Sequence, residues 1–229
     1  MYLKKYLIFI PLLYFLKTRF VNNLSFFFQY LLEIGSSLLI YLFIFNSLSF
    51  EIMILFLYHY LAFISLYEIG YFVNDTISVN YENKPNKRFK EFNSIFFLLF
   101  FIFIRFTLFI FITLHLAYEN NSLWLIFYFF LLIVFSFHNF FKKIYYKFAT
   151  FQMLAFLRFI APFFIILDYY YLFLIGNLVA LTYIPYRTLG YISSKKLAYK
   201  KIKRDFYFKF LSFFMPALFF LLILLFENV

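Results

Sequence analysis

Residues 67–90 carry the side chains that are best suited to chemistry. The stretch leaves the end of an apolar segment and presents Asn74, Asp75 and Glu82. A basic group follows directly and consists of Lys84, Lys87, Arg88 and Lys90. Mg²⁺ is bound in proteins through one or two carboxylates together with phosphate oxygens. A carboxylate cluster beside a basic cluster, at the mouth of an apolar segment, therefore predicts a site for a metal-bound phosphate or diphosphate.

The composition places this site in a membrane protein. Of the 229 residues, 66% are hydrophobic and 44 are Phe, and apolar segments of about 20 residues recur between short polar gaps. A water-soluble domain needs far more polar surface. The absence of Cys excludes disulfides and thiolate metal sites. The net charge of +11 is best explained by membrane topology, so no nucleic-acid partner is expected.

The basic residues predict how the chain crosses the bilayer. The predicted spans are residues 24–46, 51–74, 92–116, 122–140, 149–167, 170–190 and 208–226. The gaps 47–50, 117–121 and 168–169 contain no Lys or Arg, whereas the alternate loops are rich in both. By the positive-inside rule, the basic loops are cytoplasmic and the C-terminus lies outside. We therefore expect an all-α bundle of about seven transmembrane helices in a bacterial cytoplasmic membrane.

The start of the chain differs from these spans. The apolar run at residues 6–16 is too short to cross a bilayer of ~30 Å at about 1.5 Å per residue, and it contains Pro11. A signal peptide requires a small-residue cleavage site after its apolar run, and none follows this run. The sequence predicts a short uncleaved helix on the cytoplasmic interface. Residues 1–22 then form an N-terminal interfacial segment, and residues 23–229 form one transmembrane domain.

Four ionisable side chains fall inside the predicted spans, namely Glu33, Glu68, Arg105 and Arg158. Such groups cost several kcal/mol unless they are paired or hydrated, so they should face the bundle interior. They predict either internal ion pairs or a polar cavity for an anionic ligand. Glu68 precedes Asp75 by two helical turns, which places it on the wall of the same cavity. Pro162 should loosen the fifth span, and Arg187, nearest the end of the sixth, is a candidate phosphate ligand.

Three stretches of this sequence resemble the UbiA superfamily of intramembrane prenyltransferases. Asn74-Asp75, at the end of the second span, is similar to the start of the family motif NDxxDxxxD, and Pro85, Lys87 and Arg88 match the basic segment after it. Residues 136–142, SFHNFFK, resemble the motif Tyr-Ser-x-x-Leu-Lys after the fourth helix. Residues 157–162, LRFIAP, resemble Leu-Arg-x-x-Ala-Gly in the fifth. The resemblance covers roughly residues 24–190.

The resemblance implies a helical bundle around a lateral cavity that opens to the cytoplasm. In such a site Asp75 and Glu82 would hold Mg²⁺ beside Asn74, and Mg²⁺ would bind the leaving diphosphate. The cations that would neutralise phosphate are Lys142, Arg158, Arg187, Lys87 and Arg88. The substrate would be a polyprenyl lipid, and the basic run after the acidic motif is most similar to the polyprenyl-phosphate phosphoribosyltransferase branch.

The chain also departs from the family pattern. Ser78 stands at the second motif carboxylate, Glu82 at the third, and the acidic motif after the sixth helix is absent. These departures support an alternative, a catalytically degenerate relative that binds lipid phosphate or a protein partner. An unrelated transporter or channel subunit is a further alternative, although no internal repeat supports it.

Overall fold

The described part of the chain is helical. The computed structural model describes residues 7–19, 24–81, 95–116, 121–195 and 206–227, and these residues contain no strand. Short 3-10 helices occur at Leu7–Phe9 and Ser78–Tyr81. The α-helices are α1 (Leu13–Arg19), α2 (Leu24–Phe45), α3 (Phe50–Thr76), α4 (Ile95–Leu116), α5 (Asn121–Phe140), α6 (Ile144–Ile160), α7 (Tyr169–Leu181), α8 (Tyr183–Ser194) and α9 (Phe206–Glu227). The predicted all-α class is confirmed.

Within the described residues, five segments are long and apolar enough to cross a membrane. They are Phe50–Asn80, Ile95–Leu116, Ser122–Phe140, Tyr169–Ser193 and Tyr207–Leu225. Helix α4 also exposes large apolar side chains, among them Phe96, Phe103 and Leu114. A surface of this kind is stable against lipid rather than water. These are the features of a helical membrane protein, and the five segments match five of the seven predicted spans.

Two prolines explain where the helices differ from the predicted spans. Helix α6 ends at Ile160, two residues before Pro162, whereas the predicted span continued to residue 167. The predicted span 170–190 is divided at Thr182 into α7 and α8. Pro185 has no N–H to donate to the carbonyl of Leu181, and its ring would clash with that carbonyl. Proline is tolerated in the first turn of a helix, so a new helix begins beside it.

The chain divides into two compact units. Unit 1 comprises residues 1–26 and 58–150, and unit 2 comprises residues 27–57 and 151–229. In unit 1 the rings of Phe72 and Phe101 are stacked with their centroids 4.3 Å apart, and Tyr14 packs edge-on against both. Offset stacks and edge contacts of this kind add about 0.5–1.5 kcal/mol to the burial of each ring pair. The abundant aromatic residues therefore build the core of the unit.

A close helix crossing also shapes unit 1. A β-carbon on Gly70 of α3 would lie 2.2 Å from the ring of Phe135 on α5, a distance at which the atoms overlap. The side-chain amide of Asn139 donates a hydrogen bond of 3.0 Å to the carbonyl of Gly70 at the same crossing. Glycine at this position thus lets α3 and α5 approach each other closely.

Unit 2 is built around a second group of aromatic side chains. Tyr183 and Tyr186 of α8 both meet the ring of Phe213 on α9 edge-on, at 5.3 and 5.1 Å between centroids. Phe159 of α6 lies 5.0 Å from the Tyr183 ring. All four side chains are fully buried. Ring packing alone therefore fixes the position of the Tyr183 side chain, independently of any polar contact of its hydroxyl.

Candidate functional site

The end of α3 carries the acid of the candidate site. Asp75 lies in the last turn of this helix and is only 4% exposed, and Asn74 beside it is half-buried. The hydroxyl of Tyr14, on α1, donates a hydrogen bond of 2.8 Å to Oδ2 of Asp75. Tyr14 is itself fully buried between Phe72 and Phe101. The acid predicted at the mouth of the second span is therefore covered by a ring from the N-terminal segment.

Glu68 lies two turns earlier on the same face of α3. Its Oε2 forms an ion pair of 2.5 Å with Nη2 of Arg105 on α4, and both side chains are fully buried. Its Oε1 accepts a hydrogen bond of 2.9 Å from the backbone N–H of Phe15. Because α1 contacts both Glu68 and Asp75, the prediction that the two acids share one face is confirmed.

Arg105 also holds the backbone that precedes α1. Its guanidinium donates to the carbonyls of Phe9 at 2.7 Å, Ile8 at 3.0 Å and Ile10 at 3.2 Å. Buried backbone carbonyls outside a regular helix need hydrogen-bond donors from elsewhere in the protein. Arginine suits this task because it presents five N–H donors in a fixed fork. The 3-10 turn and Pro11 leave these carbonyls outside an α-helix, and Arg105, midway along α4, satisfies them.

The N-terminal segment is thus part of unit 1. The sequence predicted a short helix on the membrane interface, and the structure has the 3-10 turn and α1 packed on α3 and α4 through Ile8, Tyr14 and Phe15, which are fully buried. The position of the segment relative to a bilayer stays a prediction. Leu12, which joins the 3-10 turn to α1, has a φ of 73°, an uncommon conformation for a residue other than glycine.

A second buried cluster lies in unit 2. Arg158 of α6 forms an ion pair with Glu33 of α2, and the hydroxyl of Tyr183 donates to Oε2 of Glu33 at 2.6 Å. The guanidinium of Arg187, one turn further along α8, lies 5.6 Å from the centre of the Phe151 ring, within the range of a cation–π contact. The sequence left two alternatives for these four charges, internal ion pairs or a polar cavity for an anionic ligand, and the structure shows the ion pairs Glu68–Arg105 and Glu33–Arg158.

The predicted phosphate ligands fall in different surroundings. Lys142 is exposed in the turn between α5 and α6 of unit 1, whereas Arg158 and Arg187 belong to unit 2. Arg158 is buried, with a carboxylate partner, and Arg187 is half-buried. Glu82, Lys87 and Arg88 lie outside the described residues. The structure pairs Arg158 with an acid of the protein itself, and the phosphate-binding roles of all five residues stay predictions.

The donor set at the end of α3 fits Mg²⁺ in type. Asp75 supplies carboxylate oxygens and Asn74 an amide oxygen, and Mg²⁺ takes oxygen ligands, usually with one or two carboxylates and several waters or phosphate oxygens. Across the described ranges, no group of three His, Cys, Asp or Glu side chains is arranged to hold a metal ion. Asp75 would therefore need Glu82 or the oxygens of a bound phosphate to complete a coordination shell.

Two tyrosines in these clusters were not found from the sequence. Tyr14 and Tyr183 each donate a hydrogen bond to a buried carboxylate, of Asp75 and Glu33 respectively. The chain contains 22 Tyr, so composition does not distinguish these two. A buried carboxylate needs hydrogen-bond donors. That requirement is a signal that each buried acid has a donor such as a tyrosine hydroxyl, but it does not say which tyrosine.

In comparisons with models of protein families, with curated proteins and with solved structures, no match to this chain was found.

Proposed function

We propose that this protein is an integral membrane transferase of the UbiA-like class that acts on a polyprenyl (di)phosphate lipid, with diphosphate as the leaving group. The observation that carries the proposal is Asp75, a buried acid at the end of the candidate span Phe50–Asn80, beside Asn74 and on one face with Glu68. In the proposed topology the basic loops face the cytoplasm. Helices α2 and α6 are proposed as two further spans, which makes seven with the five candidate spans.

The proposed roles follow from residue type. Asp75 and Glu82 would hold Mg²⁺, which as a Lewis acid stabilises the charge that develops on a leaving diphosphate. Lys142, Lys87 and Arg88 would neutralise phosphate oxygens. The charge of Arg158 is already balanced by Glu33. The main role that we propose for Arg158 is therefore to hold α6 against α2. The apolar walls of the bundle would carry the isoprenoid chain.

Turnover tests the proposal directly. Purified protein is incubated with polyprenyl phosphate, Mg²⁺ and either phosphoribosyl diphosphate or farnesyl diphosphate, and released diphosphate is measured. Asp75→Asn should abolish release while expression and folding are unchanged. Asp168→Asn, at an exposed acid before α7, is the matched control and should retain full activity. Equal turnover in wild type and Asp75→Asn would reject Asp75 as the metal ligand.

A second candidate function is supported by the charge pairing. Glu68 and Glu33 are each bound to an arginine, and Ser78, which stands where the family has a second carboxylate, is buried. Both observations suit a membrane protein that binds lipid phosphate or a protein partner without chemistry. Binding of polyprenyl phosphate that is the same with and without Mg²⁺, and no turnover with either donor, would favour this candidate.

A further inference from the structure

A basic and aromatic surface lies where α5 is joined to α6. Lys142 and Lys143 are exposed in the turn between the two helices, and Lys147 follows in the first turn of α6. Tyr145 and Tyr146 lie between these lysines in the sequence and are 77% and 51% exposed. We call these five residues the α5–α6 patch.

Contacts between α5 and α6 give the patch a defined shape. The ring of Phe141, in the turn, stacks on Phe137 of α5 at 5.4 Å between centroids and lies 5.2 Å from the ring of Tyr146. A hydrogen bond of 2.9 Å joins Nδ1 of His138 on α5 to Oγ1 of Thr150 on α6. The patch is therefore presented by a short turn whose two helices are in direct contact, and not by a long loop.

The position and charge of the patch suit the surface of a membrane. The candidate span Ser122–Phe140 ends two residues before Lys142, and the side chains of Phe137 and Phe140 near its end are more than half exposed. Apolar surface that faces lipid thus continues directly into the patch, and tyrosine is enriched at the level of lipid headgroups. The sequence has no Asp or Glu in residues 120–167, so no acid in this part of the chain offsets the three lysines.

We propose that the α5–α6 patch binds the headgroup of an anionic phospholipid. The backbone N–H of Lys147 donates to the carbonyl of Lys143 at 3.2 Å, which places these two lysines one helical turn apart. Both can reach one phosphate, while Tyr145 and Tyr146 lie against the headgroup region. A soluble anion would leave the two exposed rings in water, whereas a lipid brings a phosphate and apolar chains together. The proposal goes beyond the transferase activity, because it involves neither Asp75 nor a diphosphate donor.

Fluorescence quenching measures lipid preference at the patch. Tyr145→Trp places a reporter in the patch. Leu114→Trp is the matched control, because Leu114 is 73% exposed and lies near the end of α4, at the other end of α5 from the patch. The natural chain has one Trp, the buried Trp124, and its signal in wild type is subtracted. Each protein is placed in phosphatidylcholine bilayers that contain brominated phosphatidylglycerol or brominated phosphatidylcholine, and the ratio of the two quenching affinities gives the preference for the anionic lipid.

The lysines should set this preference. A lysine near an anionic membrane surface contributes a factor of about five to binding. The reporter at position 145 should prefer phosphatidylglycerol, and Lys143→Gln with Lys147→Gln should lower the preference about fivefold for each lysine removed. Lys143→Gln alone, at an exposed side chain, provides the test if the double variant does not fold. Lys142 stays unchanged, because the proposed function gives it a role with substrate. Salt at about 1 M, where the Debye length is about 3 Å, should also lower the preference.

Four results would overturn the proposal. They are equal quenching by the two lipids at position 145, the same preference at position 114, a preference that the lysine substitutions do not change, and loss of the preference when inorganic phosphate is added at constant ionic strength. In the last case the patch binds a soluble anion instead of a lipid. None of these measurements uses a diphosphate donor, so their outcome is independent of the proposed transferase activity.

Discussion

Arg105→Gln is the most informative perturbation of the fold. The wild-type guanidinium is fully buried, forms the ion pair with Glu68, and donates to three backbone carbonyls of the N-terminal segment. Glutamine has one amide group and no charge, so it can replace at most part of the carbonyl bonding. The substitution leaves the Glu68 carboxylate buried with no cationic partner at this position.

The expected cost is large. Breaking a buried ion pair by removing one partner costs about 3–5 kcal/mol, because an uncompensated charge stays in the interior. A buried carbonyl that loses its donor adds about 1–3 kcal/mol. The total exceeds about 4 kcal/mol, against a typical unfolding free energy of ~5–15 kcal/mol. Arg105→Gln should therefore leave the protein marginally stable or unable to fold.

A double-mutant cycle measures the ion pair itself. Unfolding free energies are compared in one detergent for wild type, Arg105→Gln, Glu68→Gln and the double variant. The double variant should be less destabilised than the sum of the two single variants by about 2–3 kcal/mol, because it leaves no unpaired charge. Arg105→Lys, which keeps the charge but loses the fork, should be less destabilised than Arg105→Gln. Strict additivity, or a loss below about 1 kcal/mol for Arg105→Gln, would refute the reasoning.

Two further predictions concern packing and the second cluster. Gly70→Ala should destabilise the protein by about 1–3 kcal/mol in thermal or denaturant unfolding, because the new β-carbon overlaps the phenylalanine ring packed against it. Gly35→Ala is the control, since its nearest side-chain atom lies 3.9 Å away, and equal losses in the two variants would contradict the close crossing. Tyr183→Phe removes the hydrogen bond to Glu33 and should cost about 1.5–3 kcal/mol by the same assay. A loss no larger than that of Tyr169→Phe, at an exposed ring, would show that the hydroxyl contributes nothing.

The sequence predicted the helical class and most of the helix positions. Apolar segments and the distribution of charge are sufficient for that purpose, because a bilayer requires about 20 apolar residues for each span. The break at Thr182 was not predicted, although Pro185 was visible in the sequence. A proline is compatible with both a kinked helix and two separate helices, and tertiary packing decides between them.

The acids and arginines were predicted as interior groups, but not their individual pairing. Glu68 pairs with Arg105 on the next helix, whereas Glu33 pairs with Arg158, 125 positions further along the chain. Spacing along one chain does not reveal contacts between distant helices. The packing of the N-terminal segment was missed for a related reason. The segment was too short to be predicted as a span. Its own residues do not indicate that Arg105, far along the chain, donates hydrogen bonds to its backbone carbonyls.

Binding of a diphosphate donor tests the central claim most directly. Equilibrium binding of phosphoribosyl diphosphate and of farnesyl diphosphate is measured with wild type and Asp75→Asn, each with and without Mg²⁺. We expect wild type to bind one donor only when Mg²⁺ is present, and we expect Asp75→Asn not to bind it. Two results would contradict the claim that Asp75 belongs to a metal–diphosphate site. One is donor binding of the same affinity with and without Mg²⁺ and in both proteins, and the other is no donor binding by a folded wild type.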